Sequence, residues 1–332
     1  MKRTSVLLLI VSLLMVGVVF SLANVRAFAH WDKLGKGDEI KGSVYVLALD
    51  KEGKLYAGGV NGVNKWNGSS WSALKENVAT IIRALAFDND GALYAGAEGG
   101  MVSKWNNGSW LYLKGKNDVN ALVFYKKTLY KGDNLGLWKW NDSAWVEVEA
   151  ELNGSVNALA VDKSEKLYAG GKFGVKEWDG TIWKDVGGNF TFTGNVHCLI
   201  VDDSGKLYAG GYFTGIGNIS ANNIARRDGE IWSNLDEGVI GGGINSRVYS
   251  LALGKEGALY VGGQFKRAGG MPANNIARWD TKKQKWSTME NGINNGIEVN
   301  ALAVDDSGAL YVGGSFTSAG GVAAKNIARW GK

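Results

Sequence analysis

The sequence repeats one short pattern seven times, and this repetition constrains the fold more than any other feature. Each unit contains V-x-A-L-A-V-D or a close variant, then a short turn, then L-Y-A-G-G. The units begin at Val44, Ile82, Val119, Val156, Val196, Val248 and Val299. The first four steps between units are 37–40 residues long and the last two are 52 and 51 residues long. Repetition at this period indicates stacked copies of one supersecondary unit.

Each unit continues with two further segments that resemble V-N-K-W-N-G and W-S-A-L. The first of these carries Trp66, Trp105, Trp140, Trp178, Trp279 and Trp330, with Arg227 in the fifth unit. The second carries Trp71, Trp110, Trp145, Trp183, Trp232 and Trp286. All the segments are short, rich in β-branched and aromatic residues, and separated by Gly, Asn and Asp, which is typical of strands and turns. The chain is therefore predicted to be an all-β, seven-bladed β-propeller with four antiparallel strands per blade.

The two ends of the repeat region complement each other. The seventh unit stops after Trp330 without a W-S-A-L segment, and His30–Leu34 supplies one near the start of the chain. The N-terminal strand is therefore predicted to close the last blade, which leaves no open sheet edge in the ring. Thirteen of the 14 tryptophans then occupy equivalent positions, with Trp138 the exception. This regularity favours packing between blades over sugar binding for most of these rings.

The first 29 residues have the order of parts that a secretory signal peptide requires. Lys2 and Arg3 precede an apolar run from Val6 to Phe20, and Ala27-Phe28-Ala29 offers a cleavage site. We expect residues 1–29 to be a signal peptide and residues 30–332 to be a single propeller domain. The alternative is an uncleaved membrane anchor. Both readings predict a secreted, extracellular or cell-envelope protein, with the periplasm included. If the signal peptide is cleaved, no membrane span is expected to remain.

Charge and rare residues exclude several function classes. The formal charge of +5 falls to +2 without residues 1–29, because 34 basic and 32 acidic residues remain, and the basic ones form no cluster. Nucleic acid binding, which needs a concentrated cationic face, is therefore not expected. One cysteine and two histidines exclude an internal disulfide and any Cys-rich or His-rich metal centre. We expect no cofactor, no bound metal and a monomer.

The longest units carry a resemblance to known repeats. Gly257–Trp279 and Gly308–Trp330 both read G-A-L-Y-V-G-G-x-F-x-x-A-G-G followed by N-I-A-R-W. They resemble the repeats of secreted bacterial and fungal cell-surface propellers, of the delta-sixty and Rax-type cortical-marker kind, with a looser likeness to kelch proteins. The resemblance covers units five to seven. It implies a propeller fold and an extracellular setting, and it implies no reaction.

Long loops provide the first candidate site. The connections between the second and third strands are enlarged in units five to seven, at residues 213–223, 265–275 and 316–326. The connections at 238–247 and 291–298 are also long and belong to the same face of a propeller. Such loops either bind a ligand or simply cap the longer blades. The candidate ligand-binding residues are Phe213, Asn222, Phe265, Asn274, Phe316 and Lys325.

The second candidate site is the second residue of each innermost strand, near the channel mouth on that face. These residues are Tyr45, Arg83, Asn120, Asn157, His197, Tyr249 and Asn300. They could hold a sugar hydroxyl, a carboxylate near Arg83, or a metal, or they could only hydrate the channel. The asparagines resemble those of calcium-dependent lactonase propellers. Without an accompanying Asp or Glu, however, a calcium site would be weak.

Three functions remain open at this point. The leading hypothesis is a non-catalytic binding propeller that recognises a glycan or an extracellular protein through the long-loop face. The alternatives are a hydrolase or lyase with its site at the channel mouth, and a structural adhesion or envelope-assembly module. No residue is assigned a catalytic role, because the acids lie at turns and because adjacent strand residues such as His197 and Cys198 are expected to point to opposite sides.

Overall fold

A computed structural model describes residues 29–36, 40–74, 81–148, 152, 154–186, 194–241 and 246–331. The predicted signal peptide lies outside the described residues except for Ala29. Besides strands, the described part of the chain contains two single turns of 3-10 helix, Glu98–Gly100 and Lys255–Gly257. No helix in these ranges has the length and apolar character needed to cross a bilayer.

The described strands form seven four-stranded antiparallel sheets, as predicted, and each sheet is one blade. The first strands are Val44–Leu49, Ile82–Phe87, Val119–Tyr125, Val156–Val161, Gly194–Val201, Arg247–Leu253 and Glu298–Val304. The second strands are Leu55–Gly59, Leu93–Ala97, Thr128–Asp133, Leu167–Gly171, Leu207–Phe213, Ala258–Gln264 and Leu310–Ser315. The third strands are Gly62–Trp66, Val102–Asn106, Leu137–Trp140, Gly174–Trp178, Ile224–Asp228, Ile276–Asp280 and Ile327–Gly331. The fourth strands are Trp71–Ala73, Ser109–Leu113, Trp145–Glu147, Trp183–Asp185, Ile231–Asn234, Lys285–Ser287 and, for blade 7, His30–Lys33.

The N-terminal strand closes the ring, as predicted. His30–Lys33 pairs antiparallel with the third strand of blade 7, with Trp31 opposite Trp330. The Trp31 side chain is 2% exposed, and its Nε1 donates to the carbonyl of Met289, 3.2 Å away, in blade 6. The first strands of consecutive blades also contact each other all the way round, including blade 7 against blade 1. Both ends of the described chain are thus built into one blade.

Blades pack through a contact between a glycine and a β-branched residue. The first glycine of each L-Y-A-G-G segment, or its equivalent, faces the first residue of the repeat motif in the next blade. A Cβ on Gly262 would lie 2.5 Å from Val299 Cγ1, and one on Gly313 would lie 2.6 Å from Val44 Cγ1. Real atoms do not approach so closely, so the blade interface needs glycine at these positions.

The repeated tryptophans pack within and between blades. Those of the third and fourth strands sit opposite each other, as Trp279 does with Trp286 at a ring-centroid distance of 5.2 Å. Trp286 Nε1 donates to the carbonyl of Leu235 in blade 5 at 2.8 Å. The packing role predicted for these residues is therefore confirmed. Trp138 is the exception to the pattern, and its ring centroid lies 5.5 Å from Nζ of the buried Lys131.

The D-x-x-G segments form the hairpins between first and second strands, as the repeat pattern indicates. Asp50 Oδ1 accepts hydrogen bonds from the backbone N–H groups of Glu52 and Lys54, at 3.0 and 2.8 Å. Its Oδ2 accepts one from the Tyr56 hydroxyl at 3.3 Å. The carboxylate is occupied in stabilising the turn and in fixing the second strand. These hairpins lie on the face opposite the candidate sites.

The long connections of blades 5 to 7 fold into small sheets of their own. Their strands are Gly215–Ile216, Ile219–Ser220, Val239–Ile240, Arg267–Ala268, Met271–Pro272, Ile293–Asn294, Ser318–Ala319 and Val322–Ala323. In blades 6 and 7 the loop hairpin also pairs with the connection arriving from the preceding blade, at Val239–Ile240 and Ile293–Asn294. These loops therefore join neighbouring blades at the rim. Residues 242–245 of the predicted 238–247 connection lie outside the described residues.

Candidate functional site

The seven predicted channel-mouth residues share one backbone feature, a β-bulge. In each blade the pairing of the first and second strands shifts by one residue near the start of the first strand. In blade 6, Val248 pairs with Gly263 and Ser250 with Gly262, which leaves Tyr249 unpaired between them. The unpaired residues are Tyr45, Arg83, Asn120, Asn157, His197, Tyr249 and Asn300. A bulge redirects a side chain out of the strand alternation. The side chain at this position therefore departs from the alternation in every blade.

We call these seven residues the channel-mouth ring, and the face on which the first strands begin the entry face. The expected position, second in the first strand, holds for blades 1 to 4. The first strands of blades 5 to 7 begin earlier, at Gly194, Arg247 and Glu298, so that the ring residue is third or fourth. The bulge itself was not predicted. The sequence signal for it is that one residue in V-x-A-L-A-V varies in polarity while those on either side stay small or apolar.

Asparagine side chains form a hydrogen-bonded arc along one side of the ring. Asn120 Nδ2 donates to Asn134 Oδ1 at 3.1 Å and to Asn157 Oδ1 at 3.4 Å. Asn157 Nδ2 in turn donates to Asn195 Oδ1 at 2.5 Å. We call these four residues the amide arc. Three of its four side-chain oxygens, those of Asn134, Asn157 and Asn195, accept from an amide within the arc. Amides that donate and accept among themselves suit hydroxyl and amide groups better than a cation, which needs six or more free oxygens.

A cluster of aromatic side chains with one arginine lies next to the amide arc, at blades 5 and 6. The rings of His197 and Tyr249 lie 5.6 Å apart. The Arg247 guanidinium lies 5.7 Å from the ring centroid of Tyr212, and its Nη1 lies 3.5 Å from the Tyr249 hydroxyl. Burial, followed by the charge of Arg247, lowers the pKa of His197 to about 4. The imidazole is therefore neutral at physiological pH.

Tyr45, Arg83 and Asn300 make up the rest of the ring. Arg83 lies 5.4 Å from the centroid of the Tyr45 ring, and its Nε and Nη2 donate to the Glu98 carboxylate. Glu98 therefore already occupies the guanidinium at which a ligand carboxylate was considered. Asn300 Nδ2 donates to the carbonyl of Val44 at 3.4 Å, across the junction of blades 7 and 1.

The long-loop phenylalanines are interior residues, which corrects their prediction as ligand contacts. Phe213, Phe265 and Phe316 are 1%, 0% and 2% exposed. They belong to the hydrophobic clusters of blades 5, 6 and 7 and present no surface to a ligand. Their spacing reflects the anchoring of each hairpin on its blade. Of the two readings left open for these loops, the burial supports capping.

The other three loop candidates lie at the surface or near it. Asn222 and Asn274 are exposed and half-buried, and their Nδ2 atoms donate to the carbonyls of Glu237 and Asn291, both at 2.9 Å. These bonds tie each hairpin to the connection that follows its own blade. Lys325 occupies the equivalent position in blade 7 and is exposed.

The residue that follows each of these candidates has the more restricted conformation, and the sequence analysis did not select it as a site residue. Asn223, Asn275 and Asn326 are buried and have left-handed backbones, with φ between 63° and 66°. Asn275 Oδ1 accepts from the Phe265 N–H at 3.2 Å, and its Nδ2 donates to the Ile293 carbonyl at 3.4 Å. The signal was the common N-I-A-R of units five to seven, in which this asparagine stays constant while the residue before it changes to lysine in unit seven.

Simple alternation does not apply to His197 and Cys198, because His197 is the bulge residue. The two side chains nevertheless have different neighbours. Cys198 Sγ is directed at the Val248 carbonyl in the blade interface, 4.0 Å away, and burial raises the pKa of its thiol well above the ordinary range. Within the described part of the chain, no three His, Cys, Asp or Glu side chains are placed to hold one metal ion.

Comparisons with known proteins agree on the fold. No protein-family model and no curated protein matches the sequence. Among solved structures, the chain is similar to the extracellular domains of the putative one component system BT4673 and the putative hybrid two component system BT3049 of B. thetaiotaomicron. The TM-scores are 0.69 and 0.67, with 16% and 15% identity over 90% of this chain.

The chain spans about two fifths of those two structures, 39% and 41% of their lengths. It is also similar to the WD40 β-propeller domain of Doa1, with a TM-score of 0.64 and 17% identity over 92% of this chain and 98% of that one. A complex of YCF48 with D1 peptide matches with a TM-score of 0.61 and 13% identity, over 91% of this chain and 96% of that one. At these identities the similarity establishes the fold alone, and that fold is a β-propeller.

Proposed function

We propose that this chain is a non-catalytic binding propeller that recognises a glycan at the channel-mouth ring of its entry face. The observation that carries the proposal is the repeated bulge, which gives seven blades one shared position for a ligand-facing side chain. The amide arc offers donors and acceptors for sugar hydroxyls, and Tyr249 and Tyr212 offer aromatic faces beside it. Aromatic surface with a few convergent polar groups is the usual composition of a small-molecule site.

In this proposal the long loops of blades 5 to 7 form the rim of the binding site and the channel-mouth ring forms its centre. Burial of the three phenylalanines supports a structural role for most of each loop. Asn222, Asn274 and Lys325 remain candidates for contacts at the edge of a larger ligand. This revises the sequence-based hypothesis, which gave the loop face first place.

Chemistry at the channel mouth has less support than binding. A general base works best when its pKa lies near the working pH, and the pKa of His197 is lowered to about 4. The Cys198 thiol is held in its neutral form by burial. A hydrolase or lyase would therefore have to use groups other than these two.

We also propose that the protein acts outside the cytoplasm, as a monomer secreted or held at the cell surface. The signal-like residues 1–29 support this, as does the resemblance of units five to seven to delta-sixty and Rax-type repeats. The two similar bacterial domains are described as extracellular.

A protein partner is the second candidate, and exposed apolar residues on the entry face favour it. Leu135 and Ile297 are 63% and 66% exposed, beside blades 3 and 7. A propeller of similar fold has been solved with a bound peptide. Such a partner would bury these two residues, whereas a glycan at the ring would leave them in water.

A glycan array tests the proposal. The wild type should bind a defined set of oligosaccharides, and Asn120→Ala/Asn157→Ala should weaken that binding about tenfold or more, because several hydrogen bonds are removed. Leu135→Ser is the matched control for the entry face and should bind glycans as the wild type does. If no glycan binds, and a protein that the wild type captures is lost by both Leu135→Ser and Ile297→Ser, the second candidate replaces the first. Capture that is indifferent to both changes would point to the structural adhesion alternative.

A further inference from the structure

Arg247 stands out among the arginines because two tyrosines, and no acid, fix its guanidinium. It begins the first strand of blade 6 and lies between Tyr212 of blade 5 and Tyr249 of its own blade, at the distances given above. The side chain is half-buried. A planar guanidinium held against aromatic rings has lost much of its freedom before a ligand arrives, so binding an anion there demands little further ordering.

Several other arginines on the blades are paired with carboxylates. Arg83 pairs with Glu98, Arg227 with Glu177 and Arg278 with Asp280. Among the described residues, no carboxylate oxygen lies within 4.0 Å of the Arg247 guanidinium, whose contacts there are with Tyr212 and Tyr249. The undescribed segments that lead into blades 5 and 6, residues 187–193 and 242–245, contain no Asp or Glu. The positive charge is therefore available to a ligand from outside.

The surroundings of Arg247 indicate what kind of anion fits. On the side of blade 5 the next groups are His197, which is neutral at physiological pH, and then the amide arc. One cation followed by neutral donors and acceptors matches a ligand with one acidic group and many hydroxyls. A densely sulfated chain would need several cations in a row, and this part of the ring has only Arg247.

We propose that the glycan ligand is a uronic-acid oligosaccharide whose carboxylate binds the Arg247 guanidinium between Tyr212 and Tyr249, while its hydroxyls bond to the amide arc. This inference rests on the proposed function. A charge-assisted bond from arginine to a carboxylate is worth more than a neutral one, and replacing it should weaken binding by roughly 10- to 100-fold.

The test is an array of uronic-acid-containing oligosaccharides, their carboxyl methyl esters and neutral oligosaccharides, probed with wild type, Arg247→Gln and Arg247→Lys. The wild type should prefer the free acids to their esters. Arg247→Gln should lose that preference and bind acids and esters alike, and Arg247→Lys should retain part of it. Arg267→Gln, which removes the same charge from the neighbouring loop hairpin, is the matched control and should keep the preference. Thermal unfolding of each variant verifies that it is folded.

The outcomes separate this inference from the proposed function. Binding of neutral glycans only, or acid binding that survives Arg247→Gln in a folded variant, overturns the inference and leaves glycan binding in place. Absence of any glycan binding removes both. An acidic peptide, polyglutamate, serves as a further probe: if it binds in an Arg247-dependent way while no glycan does, the anion comes from a protein and the inference is wrong.

Discussion

At the scale of single residues, the most informative positions are those where the seven units differ inside a constant frame. The channel-mouth ring was found in the sequence because polar residues interrupt a small and apolar motif. Its bulge was not predicted, because a register shift also depends on the partner strand and the variable position of the motif does not specify one by itself. The buried Asn275 was missed for a related reason: its bonds reach Phe265 and Ile293, which only the folded loop brings together.

His197 makes the stability of the fold depend on pH. Its pKa is about 4 in the folded chain against about 6.5 when unfolded. As pH falls below 6.5 the unfolded chain takes up the proton first, so stability is lost between pH 6.5 and 4. At pH 4.5 the loss is roughly 2 kcal/mol. Urea unfolding at pH 7 and 4.5 should show that wild type loses about this much more than His197→Gln. Equal losses in the two proteins would contradict the buried, neutral imidazole.

Asn275 should be the most sensitive polar residue of its loop. Asn275→Ala removes two side-chain hydrogen bonds and forces alanine into the left-handed region, so we expect a loss of about 2–4 kcal/mol. Asn275→Gly loses the same bonds but tolerates the backbone, and should be about 1 kcal/mol less destabilised. Asn274→Ala, one residue earlier, is the control and should cost less than either. Chemical denaturation of the three variants measures the order, and a tie between Ala and Gly at position 275 would refute the backbone argument.

At the scale of elements, the repeat explains each strand by what it meets in the next blade. The second strand needs glycine because a β-branched residue from the first strand of the next blade fills the space that a Cβ atom would take. The sequence pattern was enough to predict four strands per blade, the D-x-x-G hairpins and the paired tryptophans, because all of these depend on local spacing. The small sheets of blades 5 to 7 were not predicted, since they pair loops from different blades.

The blade interface can be tested at Gly262 and Val299. Gly262→Ala places a methyl group 2.5 Å from Val299 Cγ1, and we expect it to destabilise the protein by about 1–3 kcal/mol through overpacking. In the Gly262→Ala/Val299→Ala double variant that clash is absent. The double variant should therefore be more stable than the sum of the two single losses predicts, by about 1 kcal/mol. Strict additivity would mean that the two residues do not share this space.

At the scale of the whole molecule, ring closure by the N-terminal strand ties the described ends of the chain together. The sequence predicted this closure because a missing segment at one end matched a surplus segment at the other. A ligand could not be predicted in the same way, because the residues that would hold it come from several blades and differ in each. Arg247 in particular was not among the sequence candidates, since it lies outside the repeating motif and owes its place to Tyr212 and Tyr249.

A chain that begins at Gly35 lacks the fourth strand of blade 7 and should be strongly destabilised. It loses the buried Trp31 with its bond to Met289, together with four residues of pairing to Ile327–Gly331. Compared with a chain that begins at His30, we expect the midpoint of thermal unfolding to fall by about 10 °C or more. Trp31→Ala in the longer chain should give part of this effect. Unchanged unfolding would show that the closing strand contributes little.

The most direct measurement of ligand recognition is a crystal structure of the protein soaked with mixed mono- and oligosaccharides. We predict sugar density at the channel-mouth ring, in contact with Asn120 and Asn157 and extending toward Tyr249. Density confined to the loops of blades 5 to 7 or to the outer rim of the blades, with the ring holding only solvent, would contradict the proposed site.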